Sequence, residues 1–356
     1  AGQRAGRSIV LLGRAMRRMV EAAAKQLDVR VEKVDTNGLL PLRAAPKTYT
    51  TAYSFRRGLH KILPDHLEPE DFPEIDPLLA LETEFDPSWL DASVLEKWPE
   101  TDDAMLAHGA REPLGELPID HDVAPVPFRG GSVAAIARMG TFLDEKLAAY
   151  PEDRNKPAVK GASGLSPYLH FGHIGAHTIF RELAEREGWS PGDIAEKPTG
   201  KREGWWNMSE GAESFIDELI TWREIGYNMA HREPDTYDKY ESLPDWVKET
   251  LAEHVEDERE YVYSMDEFEN AETHDELWNA AQRQLVQEGH IHNYLRMLWG
   301  KKILHWTANA KDALEVMIEL NNKYGIDGRN PNSYSGIFWT LGRYDRGWTE
   351  RDIFGK

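Results

Sequence analysis

Two tryptophans lie seven residues apart in the segment HNYLRMLWGKKILHW, residues 292 to 306. At about 100° per residue on an α-helix, this spacing places Trp299 and Trp306 almost in line, two turns or roughly 10 Å apart. Large aromatic side chains at helical spacing usually pack in a hydrophobic core. They would also suit a row of oxidisable rings beside a redox cofactor, with the cations of Lys301 and Lys302 at its edge. The segment alone leaves both interpretations open.

A second candidate site is the segment ASGLSPYLHFG, residues 162 to 172. Ser163 and Ser166 supply hydroxyl groups, Gly164 leaves the backbone accessible, and Pro167 favours the first turn of a helix. Free N–H groups and the positive end of the helix dipole bind anions at such a position. The segment is therefore either an anion site or an ordinary helix cap.

The segment DELITWRE brings a carboxyl group and an indole into one predicted helix. Glu218 and Trp222 are four residues apart, so they fall on or near one helical face, and Arg223 follows directly. A buried carboxylate beside an indole needs a hydrogen-bond partner to offset its desolvation. Two interpretations fit: a surface ion pair beside a half-buried tryptophan, or a site that stacks and hydrogen-bonds a flat polar ligand.

Composition excludes several classes of chemistry. The 356 residues include no cysteine, which rules out disulfides, thiolate nucleophiles, iron–sulfur clusters and cysteine-based zinc sites. The thirteen histidines form no metal-ligand pattern such as HExxH, so we predict no metal site. A formal net charge of −20 argues against a general nucleic-acid coat. Residues 296–346 nevertheless carry eight Lys or Arg and five Asp or Glu, and such a local basic patch can bind a polyanion.

The expected location follows from hydropathy. No apolar run approaches the roughly 20 residues that cross a bilayer, and the first residues lack a signal-peptide pattern. We therefore predict a soluble, cytoplasmic protein without a membrane partner, and we expect a monomer.

Periodicity and composition predict three parts. Residues 8 to 29 show helical spacing and VRVEKVDTNGLLPL alternates like a strand, which predicts a partial α/β domain over residues 1–45. Residues 46–130 are rich in Pro, Asp and Glu and predict a connector. Residues 131–356 predict an all-helical domain.

In this domain we expect Ser132 to cap the first helix. Residues 188–209 predict an irregular insertion that leaves Trp205 and Trp206 partly exposed. Further helices are predicted at 173–187, 210–231, 244–255, 274–287, 290–306 and 311–323.

Six segments occur in an order that resembles the class II cyclobutane pyrimidine dimer photolyases, within the photolyase/cryptochrome family. The resemblance is strong over residues 130 to 356 and looser before them. The segments are DRNKPAVKGASGLSPYLHFGHI, ELITWREIGYN, THDELWNAAQ, HNYLRMLWGKKILHWT, LNNKYGIDGRNPNSYSGIFW and DRGWTERDIFGK.

This resemblance implies an α/β remnant, a partial Rossmann-like domain, followed by an all-α domain that binds FAD. The first half of the family's α/β domain is expected to be missing. Because that domain usually houses an antenna chromophore, antenna binding is doubtful here. The implied activity is light-driven repair of cyclobutane pyrimidine dimers in DNA by electron transfer from reduced FAD, FADH⁻.

The resemblance also implies roles for individual residues. Tyr150 and the stretch Ser163, Gly164, Leu165 and Ser166 resemble residues that hold the diphosphate and ribityl chain. Asn321 matches the side chain that faces flavin N5, Arg296 and Asp327 match a pair beside the isoalloxazine, and Gly328 lies in the same loop. Trp299 and Trp278 resemble an electron-transfer pair, with Trp306 nearby. The implied dimer pocket comprises Trp222 and Trp339 as aromatic walls with Glu218, Tyr294, Met297, Arg154 and Asn155 around them.

Glu218 and Asn321, together with Trp299 and Trp278, are therefore the expected catalytic residues, with Glu218 as a hydrogen-bond partner or proton source for the dimer. Three alternatives remain. A cryptochrome-like photoreceptor would use the same flavin and tryptophans for signalling. Repair of the (6-4) lesion would call for histidines in the pocket, and none was identified. A flavin-free helical interaction module is the third.

Overall fold

The computed structural model describes residues 13–26, 31, 35–68, 91–97, 119–347 and 349. The chain divides into two compact units, one formed by residues 1–72 with 128–356 and the other by residues 73–127. The predicted division at residues 45 and 130 remains a prediction.

The architecture of the described residues is helical, and the helices are labelled here in chain order. None of them is long and apolar enough to span a membrane. They are α1 (Gly13–Gln26), α2 (Ala52–Ile62), α3 (Ala92–Lys97), α4 (Ser132–Glu145), α5 (Tyr150–Asp153), α6 (Ser166–His170), α7 (Ala176–Glu187), α8 (Glu210–Ile216), a π-helical segment (Asp217–Trp222), α9 (Arg223–Arg232), α10 (Asp245–Glu253), α11 (Met265–Glu269), α12 (Glu276–Glu288), α13 (Asn293–His305), α14 (Ala310–Tyr324) and α15 (Pro331–Thr340).

The prediction of an all-helical second domain is confirmed for residues 131–347, where the only extended pairing is a single bridge between Thr51 and Tyr344. Predicted helix ends differ from the observed ones by a few residues. The predicted N-cap of α4 was wrong. The N-cap is Gly131, at φ +97°, and Ser132 is the first residue of the helix and makes no capping hydrogen bond. Glycine adopts this backbone conformation without the steric cost that a side chain brings.

The predicted α/β layer has two outcomes. Helix α1 agrees with the helical spacing within residues 13–26. Of the predicted strand VRVEKVDTNGLLPL, residues 37–40 form bends and residue 42 begins a turn, whereas residues 29–30 and 32–34 lie outside the described residues. No strand occurs in the described part of the chain, so the Rossmann-like remnant stays a prediction.

The predicted exposure of Trp205 and Trp206 was wrong. Their relative exposures are 1% and 4%. Trp205 stacks on His60 of α2 with ring centroids 4.0 Å apart, and Trp206 packs against Phe180 of α7 at 5.4 Å. The irregular segment thus turns its aromatic side chains inward, where two helices provide an apolar surface. The local sequence pattern did not predict this contact.

The N-terminal segment is joined to the helical domain by buried polar contacts. The Glu224 carboxylate on α9 accepts hydrogen bonds from the backbone N–H groups of Leu39, at 2.7 Å, and Leu40, at 3.1 Å. Asn228, one helical turn later, accepts from the N–H of Tyr49 at 3.2 Å. Each bond satisfies a backbone donor that would otherwise be buried without a partner.

We expect the Glu224 carboxyl to make the protein less stable as pH rises. Burial raises its pKa to about 7, above the ordinary value near 4.5 of an unfolded chain. Between these two values the folded protein retains a proton that the unfolded chain releases, so the free energy of unfolding falls. From about pH 5 to about pH 7.5, urea denaturation should show wild type losing about 2 kcal/mol relative to Glu224→Gln.

The matched control is Glu319→Gln, which changes an exposed carboxyl on α14. Its difference from wild type should not vary with pH. A Glu224→Gln difference that stays constant over the same range would contradict the elevated pKa of Glu224.

Candidate functional site

The Glu218–Trp222 segment is π-helical and interrupts a helix that runs from α8 into α9. Its backbone hydrogen bonds join residues five positions apart instead of four, so each hydrogen-bonded ring encloses one extra residue. The sequence predicted an α-helix here, and the π geometry changes the direction in which these side chains leave the axis. Single-turn π segments frequently occur at functional sites. Both Glu218 and Trp222 are half-buried.

Glu218 is paired with Arg154, which follows α5. The Arg154 Nη2 donates to Glu218 Oε1, and the side chains are 15% and 26% exposed. The Arg154 guanidinium also lies 5.6 Å from the ring centroid of Tyr150. Burial raises the pKa of Glu218 although Arg154 opposes this shift, and burial together with the charge of Glu218 raises the pKa of Tyr150. The structure therefore brings Tyr150, which the resemblance assigned to the cofactor, together with Arg154 and Glu218, which it assigned to the dimer pocket.

A second polar centre joins α6, α13 and the loop after α14. Ser166 Oγ donates to Asp327 Oδ2, and both terminal nitrogens of Arg296 lie 3.2 Å from Asp327 Oδ1. Burial alone would raise the pKa of Asp327, but the Arg296 charge and the Ser166 hydrogen bond outweigh it and hold the pKa below its usual value. The carboxylate thus fixes two predicted cofactor residues relative to each other.

Asn321 lies at the C-terminal end of α14 and is buried. The following loop folds back on it: Gly325 N donates to Asn321 O at 2.9 Å, and Gly328 N donates to Gly325 O at 2.8 Å. A Cβ atom at Gly328 would lie 2.5 Å from Asn321 O. The absence of a side chain at Gly328 therefore permits the close approach of its backbone to that of Asn321.

The loop Ser163–Ser166 has a cation beside it that the sequence analysis did not select. Gly164 has φ +69°, and a Cβ there would lie 2.6 Å from Arg138 Nη2 of α4. Leu165 is buried and its N–H is 3.4 Å from Ser163 Oγ. Only the packing of α4 on this loop reveals Arg138, since nothing in its local sequence marks it.

The tryptophans form a connected set of buried rings. The Trp278 and Trp299 rings are nearly parallel with centroids 6.3 Å apart, and Trp278 meets Trp306 edge-on at 6.1 Å. Trp278 Nε1 donates to Trp299 O at 3.1 Å, and Trp299 Nε1 donates to Gln282 Oε1 at 2.9 Å. Trp299 lies on α13 and Trp306 directly follows its last residue, and Trp278 of α12 contacts both rings. The interpretation of these rings as core residues is confirmed by their burial, whereas the electron-transfer role stays a prediction.

The remaining predicted pocket residues occupy more exposed positions. Trp339 on α15 is half-buried with Lys301 Nζ 5.2 Å from its ring centroid, and Trp222 packs against the same hydrophobic core. On α13, Met297 is half-buried and Tyr294 is exposed. Asn155 is exposed in the turn that follows Arg154.

The polar centre has room and free hydrogen-bonding capacity. A cavity of about 250 Å³ lies beside it, lined in part by Pro167 and Ile326, the neighbours of Ser166 and Asp327. Among the described residues, Arg296 Nε and the Nδ1 of His290 are buried without a hydrogen-bond partner. Buried donors of this kind normally have a partner, which a polar ligand can provide. Hydroxyls, guanidinium groups and a compact glycine loop fit the diphosphate and polar ring edge of a flavin dinucleotide.

The described residues include no group of three or more His, Asp or Glu side chains placed to hold a metal ion. The chemistry available at the site is hydrogen bonding, charge pairing and aromatic contact.

Comparison with solved structures identifies the class of fold. A bacterial class III photolyase from Agrobacterium tumefaciens superimposes with a TM-score of 0.57 and 16% identity, covering 92% of this chain and 59% of that chain. A cryptochrome from Synechocystis sp. PCC6803 gives a TM-score of 0.58 and 16% identity, covering 96% and 62%. The fold is that of photolyases and cryptochromes.

Sequence comparison identifies the family. The chain is 36% identical over 338 residues to the deoxyribodipyrimidine photo-lyase of Methanothermobacter thermautotrophicus, covering 95% of this chain and 66% of the relative. It is also 36% identical over 335 residues to that of Oryza sativa subsp. japonica, covering 92% and 59%. No family model matches the chain. The chain belongs to the photolyase/cryptochrome family and spans about two thirds or less of the length of these relatives.

We expect Asp327→Asn to weaken the second polar centre. The substitution leaves Arg296 without its counter-charge, which should lower the free energy of unfolding by about 2 kcal/mol at neutral pH. Because the Asp327 pKa is lowered, its contribution is present above the usual aspartate pKa and is lost as pH falls through the folded value. Urea denaturation of the flavin-free protein measures the loss, with Glu319→Gln as the control. Equal stability of Asp327→Asn and wild type at neutral pH would contradict this role.

Proposed function

We propose that this chain binds FAD and carries out light-driven repair of cyclobutane pyrimidine dimers in DNA, as a deoxyribodipyrimidine photo-lyase. The observation that carries the proposal is the Arg154–Glu218 pair at the start of the π-helical segment beside Trp222. A carboxyl group and an indole on one short segment provide hydrogen bonding and stacking for a flat, polar lesion. The relatives from Methanothermobacter thermautotrophicus and Oryza sativa are deoxyribodipyrimidine photo-lyases, which supports the same activity.

The residues around Asp327 are suited to hold the cofactor. Ser163, Ser166 and Arg138 offer hydroxyls and positive charge to a diphosphate, and Arg296 with Asn321 offers donors to the polar edge of the isoalloxazine. When bound, reduced and excited by light, a flavin supplies the single electron that opening a cyclobutane ring requires. Tyr150, Leu165 and Gly328 shape the surrounding wall.

The dimer-binding role falls on residues near the π-helical segment. Trp222 and Trp339 are the proposed aromatic walls, and Met297 and Tyr294 on α13 add apolar and hydroxyl contacts. Arg154 and the exposed Asn155 lie where they can meet the lesion or its phosphates. A damaged base pair is cheaper to unstack than an intact one, which favours entry of the dimer into such a recess.

Glu218 is the proposed proton source or hydrogen-bond partner of the dimer. Burial raises the pKa of Glu218 against the opposing charge of Arg154, and a carboxyl group that takes up a proton can donate a hydrogen bond that a carboxylate cannot. Arg154 holds the carboxyl in place and opposes further neutralisation. Glu218 therefore acts on the substrate and Arg154 orients it.

The buried rings supply a route for electrons to the cofactor site. Trp299 and Trp278 are the proposed electron-transfer pair, and Trp306 extends the set toward Lys302, whose Nζ lies 5.0 Å from its ring centroid. Contact between the rings favours transfer over a distance that no single side chain covers.

The finer assignments are part of the same proposal. We infer membership of class II from the six ordered segments, a partial Rossmann-like α/β part before the helical domain, and a monomer acting on DNA inside the cell. The three-part division at residues 45 and 130 belongs here too.

A cryptochrome-like photoreceptor is the second candidate, supported by the fold shared with the Synechocystis cryptochrome. The two candidates share a flavin and differ in the use of the pocket. Absorption spectroscopy of the purified protein tests for flavin, and loss of dimers from irradiated DNA under blue light tests for repair. Flavin without repair would favour the photoreceptor, and a colourless protein after incubation with FAD would contradict both.

We expect Glu218→Gln to lower repair per absorbed photon by about tenfold, because the amide cannot deliver a proton and bonds the dimer less strongly than a carboxyl group. FAD content should stay at the wild-type level, since Ser166 and Arg296, and not Glu218, hold the Asp327 carboxylate. The measurement is dimer loss in DNA under blue light with reduced protein. Unchanged repair per photon would remove Glu218 from the mechanism.

Trp278→Phe should slow light-driven reduction of the bound flavin by at least about tenfold, because phenylalanine is much harder to oxidise than an indole. Repair by chemically pre-reduced protein should be unaffected. The matched control is Trp246→Phe, which changes a partly exposed tryptophan on α10. Equal photoreduction rates in wild type and Trp278→Phe would exclude the ring set as the electron route.

A further inference from the structure

Two acidic residues stand next to each other where the π-helical segment begins, and each is paired with an arginine from a different part of the chain. Glu218 bonds to Arg154, whereas Asp217 bonds to Arg56 of α2. Arg56 Nε lies 2.7 Å from Asp217 Oδ1 and Nη2 lies 2.9 Å from Oδ2, so the contact is bidentate. The two side chains are 9% and 3% exposed.

The Arg56–Asp217 pair is built into its surroundings. Arg56 Nη1 donates to Gly200 O at 3.2 Å, and Gly200 N donates to His60 Nδ1 at 3.4 Å. His60 in turn stacks on Trp205. Burial and the Arg56 charge lower the pKa of His60 to about 4, although the charge of Asp217 opposes this shift. His60 is therefore neutral at physiological pH. A bidentate arginine held on three sides has little freedom to move, and Asp217 is fixed with it.

The predicted functional set contains neither Arg56 nor Asp217. Their contact joins residues 161 positions apart in the chain, and both side chains are turned away from solvent. A buried ion pair is weak evidence for stability, because desolvation offsets most of its Coulomb energy. Its position directly beside Glu218 points to another role.

We propose that Arg56 and Asp217 are positioning residues for Glu218: their buried pair anchors the first turn of the π-helical segment and keeps the charge next to the Glu218 carboxyl balanced. The inference rests on the proposed function only for the role of Glu218 in repair. The effect of the Arg56–Asp217 pair on the pKa of Glu218 does not depend on that function.

Removing Arg56 and removing Asp217 should shift the pKa of Glu218 in opposite directions. Without Arg56, the negative charge of Asp217 acts on its neighbour and favours protonated Glu218, so the pKa of Glu218 should rise. Without Asp217, the positive charge of Arg56 favours the ionised form, so the pKa should fall. If the pair had a purely structural role, both single variants would change the pKa of Glu218 in the same direction.

Other charged and titratable groups near this turn stay in place in each variant. Arg202 Nε lies 3.4 Å from Asp217 Oδ2 and is more than half exposed, so it provides only partial compensation. On α9, Arg223 and Glu224 are engaged with the N-terminal segment. Among the described residues, the charged and titratable groups that act on Glu218 or Asp217 include Arg154, Tyr150, Arg202, His60 and Arg56.

The test is an infrared pH titration of the Glu218 carboxyl in the full chain, assigned by its loss in Glu218→Gln. We expect Arg56→Gln to shift the midpoint upward by about one pH unit and Asp217→Asn to shift it downward by a similar amount. The double variant Arg56→Gln with Asp217→Asn should return close to the wild-type midpoint, and Arg56→Lys should remain near it. The pH dependence of repair should follow the same order.

The readouts separate the two proposals. Shifts of equal sign in the two single variants, or no shift, would overturn the positioning role. Opposite shifts without a matching change in the pH dependence of repair would instead contradict the use of Glu218 in repair. If a single variant does not fold, Arg202→Gln applies the same test at an exposed position. It should raise the midpoint by a smaller amount, and an unchanged midpoint would overturn the charge balance.

Discussion

Pairing of buried charges is the constraint on which the site depends. Removing an ionised side chain from water costs on the order of several kcal/mol unless an opposite charge and hydrogen bonds replace the lost solvent. Each acidic residue of the site has an arginine partner from elsewhere in the chain: Asp217 with Arg56, Glu218 with Arg154, and Asp327 with Arg296. These pairs connect elements that are far apart in the sequence.

The pairs also explain why residues 46–68 matter to the site. Composition made this part of the chain look like a connector, yet α2 carries Arg56 and His60 into the helical unit and covers Trp205. The contact reaches the π-helical segment, one residue from Glu218. A change in α2 can therefore reach the proposed substrate site through one ion pair, without passing through the cofactor residues.

The two polar centres serve different purposes because their burial and partners differ. At Asp327, a strong cation and a hydroxyl outweigh burial and keep the carboxylate charged, which suits a fixed structural anion. At Glu218, burial outweighs Arg154 and raises the pKa of the carboxyl group. The same side-chain chemistry thus yields an anchor in one place and a candidate donor in the other, as the balance of desolvation and charge requires.

The sequence by itself determined the helical character of residues 131–347, the approximate helix ends and the family resemblance, because these depend on local periodicity and on short segments. Tertiary structure alone decided the burial of Trp205 and Trp206 and the selection of Arg56 as the partner of Asp217. These features join residues that lie far apart in the chain. Local spacing carries no information about such contacts, since the packing of helices determines which side chains meet.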